Sequence, residues 1–425
     1  MRRIALLAAL STIVACGGCG GSEDAKKAAA NEPLHFWHAM GGPLGKSLEA
    51  LVADYDATAR TKVENVSMGQ YEALSQKIMA AVAAGGPPDL AQCYEAWTAN
   101  LVENHAVVSF DRFLDGPEGA AMRADIPPIF LQASTQGGAL WSFPFNKSVR
   151  CLYYNRELFK RAGLDPERPP RTWQEYRDDA KKLTVDADHD GKPEQWGFAS
   201  QITAAMFENL LVQNGGALLT PDETRAAFDS PEGIEALEFM TDMLVRDKTS
   251  LVSSGFEYQN EFLAGKVAMV EGSSVTLSFL GGKVTFPLGI APLPAGKKDT
   301  QLVAGTDVVL FATTPERERS AFEFVRWFTD TPQTARWAAE TGYLPVRRSA
   351  MEHPVLKAQL DAHPGLREAY AQLDRALVQP KAKGWYAGRA ILEREAIEPV
   401  LRGQLQPAEA LRGAAAKVNV ELARK

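Results

Sequence analysis

Apolar and polar positions follow two alternating periods along this chain. Leu34 to His38 is a short apolar run of strand type, after which Leu48, Leu51, Val52 and Tyr55 recur at helical spacing. Lys62 to Met68 alternates again as a strand. Leu74, Ile78, Met79 and Val82 then share one helical face, and Gly85-Gly86-Pro87-Pro88 stops that helix. Asp89 to Glu95 reads as a third strand. This strand-helix order predicts a parallel sheet with right-handed crossovers. In such a sheet ligands bind beyond the carboxyl ends of the strands. Those ends fall near Trp37-His38, Met68 to Tyr71, and Tyr94-Glu95.

A second region opens after Phe143-Pro144-Phe145-Asn146. Leu152 to Asn155 predicts a strand that leads into a helix through Leu158 and Phe159. Further strands are expected at Gly197 to Ser200, Lys266 to Val270, Leu288 to Pro292 and Val303 to Ala312. Glu316 to Phe328 is helical in pattern, and the stretch from Leu366 is nearly all helical, interrupted by Gly384 and Gly403. From Pro33 onward about 390 residues remain, more than one core of ordinary size holds, so two lobes are expected. The fold class is α/β.

The N-terminus changes the picture. Arg2 and Arg3 precede an apolar run from Ile4 to Ala15, the layout of an export signal over 1–15. Those 12 residues are too few to span a bilayer, which takes roughly 20. Ile13-Val14-Ala15-Cys16 resembles the lipobox of bacterial lipoproteins, which makes Cys16 the expected lipidation site. Cys19, with a cysteine three residues before it, fits that pattern less well. Several acyl chains on one cysteine hold a protein to a membrane, where one chain binds marginally. Residues 16–32 are small and polar with no periodic apolar face, the composition of a flexible tether. The protein is therefore expected outside the cytoplasm, on a membrane facing the periplasm or cell exterior.

Formal charge is −7, and −9 once Arg2 and Arg3 leave with the signal. With no basic patch, nucleic acid is not an expected partner. Beyond the signal, Cys93 and Cys151 sit in apolar strand-like runs and read as two buried thiols rather than a disulfide. Gly41-Gly42-Pro43-Leu44-Gly45-Lys46-Ser47 follows a strand and precedes a helix. A phosphate loop, however, needs glycine where Met40 stands, so a turn and helix start are expected. Asp186, Asp188, Asp190 and Glu194 occupy positions 1, 3, 5 and 9 of an EF-hand-type loop with Gly191 at position 6. Position 12, usually glutamate, is Gly197. Two readings stay open there, a structural calcium site and a solvated acidic turn; no other cofactor is expected. The six histidines are scattered and no Gly-x-Ser-x-Gly elbow occurs. An exported carbohydrate-active enzyme of glycoside-hydrolase type remains the alternative, because carboxylate pairs leave little trace in sequence.

From Leu34-His35-Phe36-Trp37-His38 to Lys46 the chain resembles the extracellular solute-binding proteins of carbohydrate ABC importers. The likeness resumes at Tyr71-Glu72, Tyr94-Glu95, Pro144 to Ser148, Leu152 to Asn155, Ala162 to Trp173, Thr341 to Pro345 and Glu409-Ala410-Leu411. It covers most of the chain and is strongest toward the glycerol-phosphate-binding members. The resemblance implies the two-lobed periplasmic-binding-protein fold of type II, similar to maltose-binding protein, with a ligand cleft between lobes. One lobe would be 33–145 plus 304–345 and the other 146–303 plus 346–425. It further implies a non-enzymatic protein that captures a sugar or glycerol-3-phosphate-type polyol by lobe closure and delivers it to the ABC permease's transmembrane subunits.

By that resemblance Tyr71, Glu95 and Ser148 match ligand-contacting positions, as do Ser273, Ser274, Gly305, Thr306 and Tyr343. The sequence also departs from the pattern. Gln201 and Ala204 stand where glycerol-phosphate-binding members carry tryptophans before the pair seen here as Glu208-Asn209. An arginine the family uses near the end falls at Tyr386, with Arg389 three residues on. Arg389 is the side chain best placed to replace it. Arg150, Lys147 and the backbone after Gly272 are other sources of positive charge. For a neutral saccharide, Trp97, Trp141 and Trp385 are candidate stacking faces.

Overall fold

The computed structural model describes residues 32–424. The export signal, Cys16, Cys19 and the tether up to residue 31 lie outside the described residues. In chain order the main strands are β1 (Leu34–His38), β2 (Val63–Ser67), β3 (Leu90–Cys93), β4 (Phe143–Ser148), β5 (Arg150–Asn155), β6 (Trp196–Gln201), β7 (Ser250–Ser253), β8 (Val267–Ser273), β9 (Leu288–Pro292) and β10 (Ala304–Leu310). They form two five-stranded sheets, ordered β2-β1-β3-β10-β4 and β9-β5-β8-β6-β7. Each sheet belongs to one lobe of an α/β fold.

The parallel pairing expected from the N-terminal alternation is present, with β1 lying between β2 and β3. Leu34, Phe36 and His38 are buried while His35 is exposed, as a period of two requires. Helix α1 (Gly42–Thr58) has proline in its first turn and buries Leu48, Leu51, Val52 and Tyr55. Helix α2 (Tyr71–Ala83) buries Leu74 and Ile78. The sheets are mixed rather than wholly parallel. Returning from the second lobe, β10 runs antiparallel to both β3 and β4, and β5 runs antiparallel to β8 and β9.

Strand β3 stops at Cys93, two residues earlier than the apolar run suggests. Tyr94 is extended, and Glu95 opens helix α3 (Glu95–Glu103), where a carboxylate in the first turn suits the helix dipole. Helix α4 (Ala204–Gln213) packs within the second lobe, whose core gathers Leu152, Phe159, Phe198, Phe207, Leu211 and Met269.

Between β4 and β5 only Val149 intervenes, so the chain passes from one sheet to the other through a single buried residue. It returns between Pro292 and Ala304. Helix α5 (Thr331–Thr341) packs on α1 and on the helix Pro354–Ala362, and α6 (Pro364–Ala371) then lies against β9 and β5. Helices α7 (Trp385–Leu392) and α8 (Pro407–Leu422) pack against each other in the second lobe. Between α6 and α7 the residues from Ala376 to Lys383 form no helix, a departure from the helical C-terminus that the sequence suggests.

Gln301, fully buried, links these passages. Its side-chain carbonyl accepts the Arg150 N–H at 2.7 Å, its amide donates to Gln372 at 2.6 Å, and its backbone carbonyl accepts the Leu377 N–H at 2.9 Å. Two glycines mark close approaches. A Cβ on Gly305, φ 104°, would lie 2.0 Å from the Asn146 carbonyl of the neighbouring strand. Gly342 caps α5 in the left-handed region with φ 77°, and a Cβ there would lie 2.5 Å from the Ser274 carbonyl of the other lobe.

Candidate functional site

Strands β1, β2 and β3 run parallel and end on one side of their sheet. The segments leaving them contribute Met40, Ser67, Tyr71, Tyr94 and Glu95 to a cleft of about 760 Å³. The second lobe contributes Asn209, Ser273, Thr276 and Phe279. The lobe crossings add Ser148, Arg150, Gly305 and Tyr343, and the C-terminal region adds Gln379, Trp385, Tyr386 and Arg389. Phe256, 75% exposed beside a left-handed Gly255, presents a bare ring at the same cleft.

Of the residues expected at the site, Tyr71, Glu95, Ser148, Ser273, Gly305, Tyr343, Trp385 and Arg389 line this cleft. Ser274 and Thr306 do not. Thr306 follows the lining Gly305 on β10, where successive side chains point to opposite sides, and Ser274 lies in the turn that follows β8. The Ser274 N–H donates to the Val149 carbonyl at 2.7 Å. The Thr306 hydroxyl accepts from Gln92 at 2.7 Å and bonds to Asn146. Both residues hold the lobe junction and sheet in register.

Among the stacking candidates, Trp97 lies buried beneath the wall and Trp141 donates to the Gln136 carbonyl at 3.1 Å. Neither lines the cleft. Trp385 does, but its ring is nearly wholly buried in the second lobe's core and its Nε1–H has no hydrogen-bond partner among the described residues. The aromatic wall comes from tyrosines instead. Tyr94 lies 5.0 Å from Tyr71 and 5.6 Å from Tyr386, and Trp97 backs Tyr94 and Tyr386 at 5.1 Å from each. Tyr386 sits on α7, so this cluster reaches from one lobe to the other. The Lys383–Glu103 ion pair, 2.7 Å, does the same.

Charges at the cleft are paired unevenly. Lys147 is fully buried, 2.9 Å from Glu95 and 2.6 Å from Asp307. Burial pulls its ammonium toward the neutral form, but the two carboxylates more than reverse this and hold it above its ordinary range. Arg389 grips Glu208 through Nε and Nη2 at 2.5 and 2.7 Å. Burial lowers its affinity for the proton, and Glu208 outweighs that effect. Arg389, expected from the sequence to meet the ligand, instead has its fork spent on a carboxylate. Arg150 differs from both. Its Nε forms a long ion pair with Glu271 at 3.7 Å, beyond hydrogen-bond distance, and among the described residues Nε and Nη2 have no hydrogen-bond partner.

The acidic loop keeps three of its four carboxylates together. Oxygens of Asp186, Asp188 and Asp190 lie within 4.8 Å of one another. Glu194 is turned away, accepting the Ala187 N–H at 2.9 Å. Cys93 and Cys151 are buried free thiols, and burial pushes Cys151 up to about 12, which leaves it unreactive.

A family model described as bacterial extracellular solute-binding protein matches residues 41–335. The sn-glycerol-3-phosphate-binding periplasmic protein UgpB of Pectobacterium atrosepticum is 28% identical over 436 residues, covering 98% of this chain and 96% of the relative. Among solved structures, UgpB of Mycobacterium tuberculosis in complex with glycerophosphocholine superposes with a TM-score of 0.80 at 23% identity, covering 92% of this chain and 98% of that one. The cyclic alpha-maltosyl-1,6-maltose binding protein of Arthrobacter globiformis gives a TM-score of 0.77 at 24% identity, with coverage of 92% and 98%. These two structures share the two-lobed fold.

Proposed function

The chain belongs to the bacterial extracellular solute-binding protein family, and from that premise we propose that it captures a sugar or a glycerol-phosphate-type polyol between its lobes and hands it to the transmembrane subunits of an ABC importer. The observation that carries the ligand class is the cleft itself. Its roughly 760 Å³ suits a ligand of two or three sugar rings or a smaller polyol. Tyrosine faces serve the apolar side of such a ligand, while Ser148, Asn209, Gln379 and Glu95 offer hydrogen bonds to hydroxyls. The UgpB relatives favour the glycerol-phosphate branch of this reading. Closure would be a hinge motion about the crossings at Val149, Leu302 and Pro345.

A glycoside hydrolase needs two carboxyl groups facing one scissile bond. Among the described residues Glu95 is the one carboxylate lining the cleft, and it is paired with Lys147. That favours a binding role over the enzymatic alternative. Tyr71, Glu95, Ser148 and Tyr343 are the proposed ligand contacts. We also read Cys16 as acylated and the Asp186 loop as a structural calcium site, supported by the lipobox pattern and by the three clustered carboxylates.

The deciding experiment is a thermal shift against sugars, glycerol phosphates and glycerophosphodiesters. One ligand class should stabilise the protein increasingly with concentration, by about 2.7 kcal/mol at 100 times Kd. Turnover of any panel member would remove the binding-protein reading. Cys16→Ser should yield unprocessed or soluble protein, and full incorporation of labelled fatty acid into that variant would refute the anchor.

A further inference from the structure

A second cavity, of about 570 Å³, shares no lining residue with the cleft. One of its walls is the helix Pro128–Ser134, which packs on β4 of the first lobe. The facing wall is α6 and the turn Gln372–Arg375 that follows it, in the second lobe. Leu344 and Pro345, the residues after the cleft's Tyr343, also line it. Its position beside the crossing is fixed, because the Tyr370 hydroxyl bonds to the Gly342 and Tyr343 carbonyls, 3.2 Å from each.

Much of the lining is apolar. Ile129, Met351 and Leu373 pack against the core yet remain only partly buried, and their open faces meet in this cavity. A cavity of this size, apolar with a few placed polar groups, has the make-up of a small-molecule site.

The polar groups are mainly cationic. Three cations are buried among the described residues, Lys147, Arg150 and Arg347. The first two are in ion pairs, whereas Arg347, 5% exposed, forms none. Its Nε and Nη1 donate to the Thr329 and Met122 carbonyls at 2.8 Å each, near the ends of two helices, and this fixes the plane of the guanidinium. The remaining nitrogen, Nη2, has no hydrogen-bond partner among the described residues and is not among the atoms sealed from solvent. Burial lowers the affinity of Arg347 for its proton, and Asp125 and Asp330, neither in ion-pair contact, offset this only in part. A buried charge in that condition favours an anion at its open side. Arg348, exposed at the rim, forms no ion pair among the described residues, while Arg367 is held by Asp361 at 3.0 Å. Asp374 is the one acid on the lining, so two uncommitted guanidinium groups face one carboxylate.

We propose that this cavity is a second binding site, separate from the cleft, for a small amphipathic anion: an apolar body against Ile129, Met351 and Leu373, with its acid group on Arg347 and Arg348.

Calorimetry on the full chain tests it, with 4-phenylbutyrate and 1-naphthoate as probes and 4-phenylbutanol and 1-naphthylmethanol as their neutral counterparts. At least one acid should bind at a single site, about tenfold or more tighter than its alcohol. Arg347→Gln, whose amide can still donate to a carbonyl, should weaken that acid about tenfold to a hundredfold and leave the alcohol unchanged. Arg347 also ties two helix ends, so two surface variants keep the test open if Arg347→Gln does not fold. Arg348→Ala should weaken the acid several-fold. Ala371→Trp, at an exposed residue of the lining, should fill the cavity and abolish binding of both acid and alcohol. Tyr71→Ala, in the cleft, should bind the acid as wild type does. Acid binding that survives Ala371→Trp or is lost in Tyr71→Ala would put the probe in the cleft and overturn the site. Acids that bind no better than their alcohols, or no binding by any probe, would overturn it as well.

Discussion

The Lys147 ammonium stands 2.9 Å from the Glu95 carboxylate. Glu95 opens α3 on one side of the cleft, and Lys147 rises from β4, so a side chain proposed to read ligand hydroxyls is oriented by a buried cation. Asp307 completes the group from below, and its other oxygen accepts hydroxyls from Ser134 and Ser142 at 2.8 and 2.7 Å. Lys147→Met would leave two buried carboxylates facing each other. The expected loss is about 3–5 kcal/mol of stability in urea unfolding, with Glu95→Gln costing less than Lys147→Met. Equal stability of Lys147→Met and wild type would show that the pair is not formed in solution.

Arg389 and Glu208 make the second prediction. Truncating Arg389 strands a carboxylate that is fully buried, so Arg389→Ala should lose roughly 2–3 kcal/mol of stability, less than a wholly buried pair would. Adding Glu208→Gln should restore much of that loss. A double-mutant cycle on melting free energies measures the coupling. A cycle that closes to zero would mean that Arg389 serves something other than Glu208.

His38 supplies a pH dependence. It is buried at the end of β1, its Nδ1 accepts the Met40 N–H at 3.1 Å, and its Nε2 has no hydrogen-bond partner among the described residues. Burial lowers its pKa from 6.5 to about 4. Between those values the unfolded chain holds a proton that the folded chain refuses. Stability from this site is therefore complete above about pH 6.5 and is lost as pH falls toward 4. The amount is on the order of 3 kcal/mol. His38→Gln should flatten the melting temperature across that window. A profile as steep as wild type would assign the acid sensitivity to other groups.

Much of this architecture is legible in the sequence, and the failures have local causes. Strand β1 and helix α1 are readable because burial on one side leaves a clean period, two in Leu34–His38 and near 3.6 in Leu48, Leu51, Val52 and Tyr55. Strand β4 was harder to see. It contains Pro144, which an edge strand tolerates, and it is buried at every position, so no alternation survives. Four-residue β7 is also an edge strand and too short to stand out. The cleft was legible where strand ends predict it, at Tyr71 and Glu95. The partners of Lys147, Arg150 and Arg389 were not, because each pairing joins residues more than 50 positions apart. Tyr94 and Tyr386 were missed as a platform because their contact depends on how the lobes meet.

Tyr386 tests that meeting directly. Tyr386→Ala removes the ring that touches Tyr94 and Trp97 from the other lobe. Contacts of this kind contribute about 0.5–1.5 kcal/mol each beyond the area they bury. Small-angle scattering should show a larger radius of gyration for the unliganded variant, and ligand affinity should fall. Unchanged scattering and affinity together would leave the cross-lobe ring contact without a role.

The Asp186 loop is tested by chelation. Removing calcium should lower the melting temperature, and Asp188→Ala should abolish the response to added calcium. Glu194→Gln should matter less, since that carboxylate is turned to the Ala187 N–H. Identical melts with and without chelator would return the loop to a solvated turn.

Gly342 has a consequence for affinity that no contact with the ligand expresses. Its bare α-carbon faces the Ser274 backbone of the opposite lobe, where one added methyl would stand 2.5 Å from an oxygen. The seam between the lobes therefore has no clearance to spare at this point. Alanine there would act as a doorstop. The jaws would seat a fraction of an ångström short, and every hydrogen bond across the cleft would lengthen together. Selectivity among ligands would survive while grip was lost, a failure that would look like a weak binding site in a protein whose binding residues were all intact.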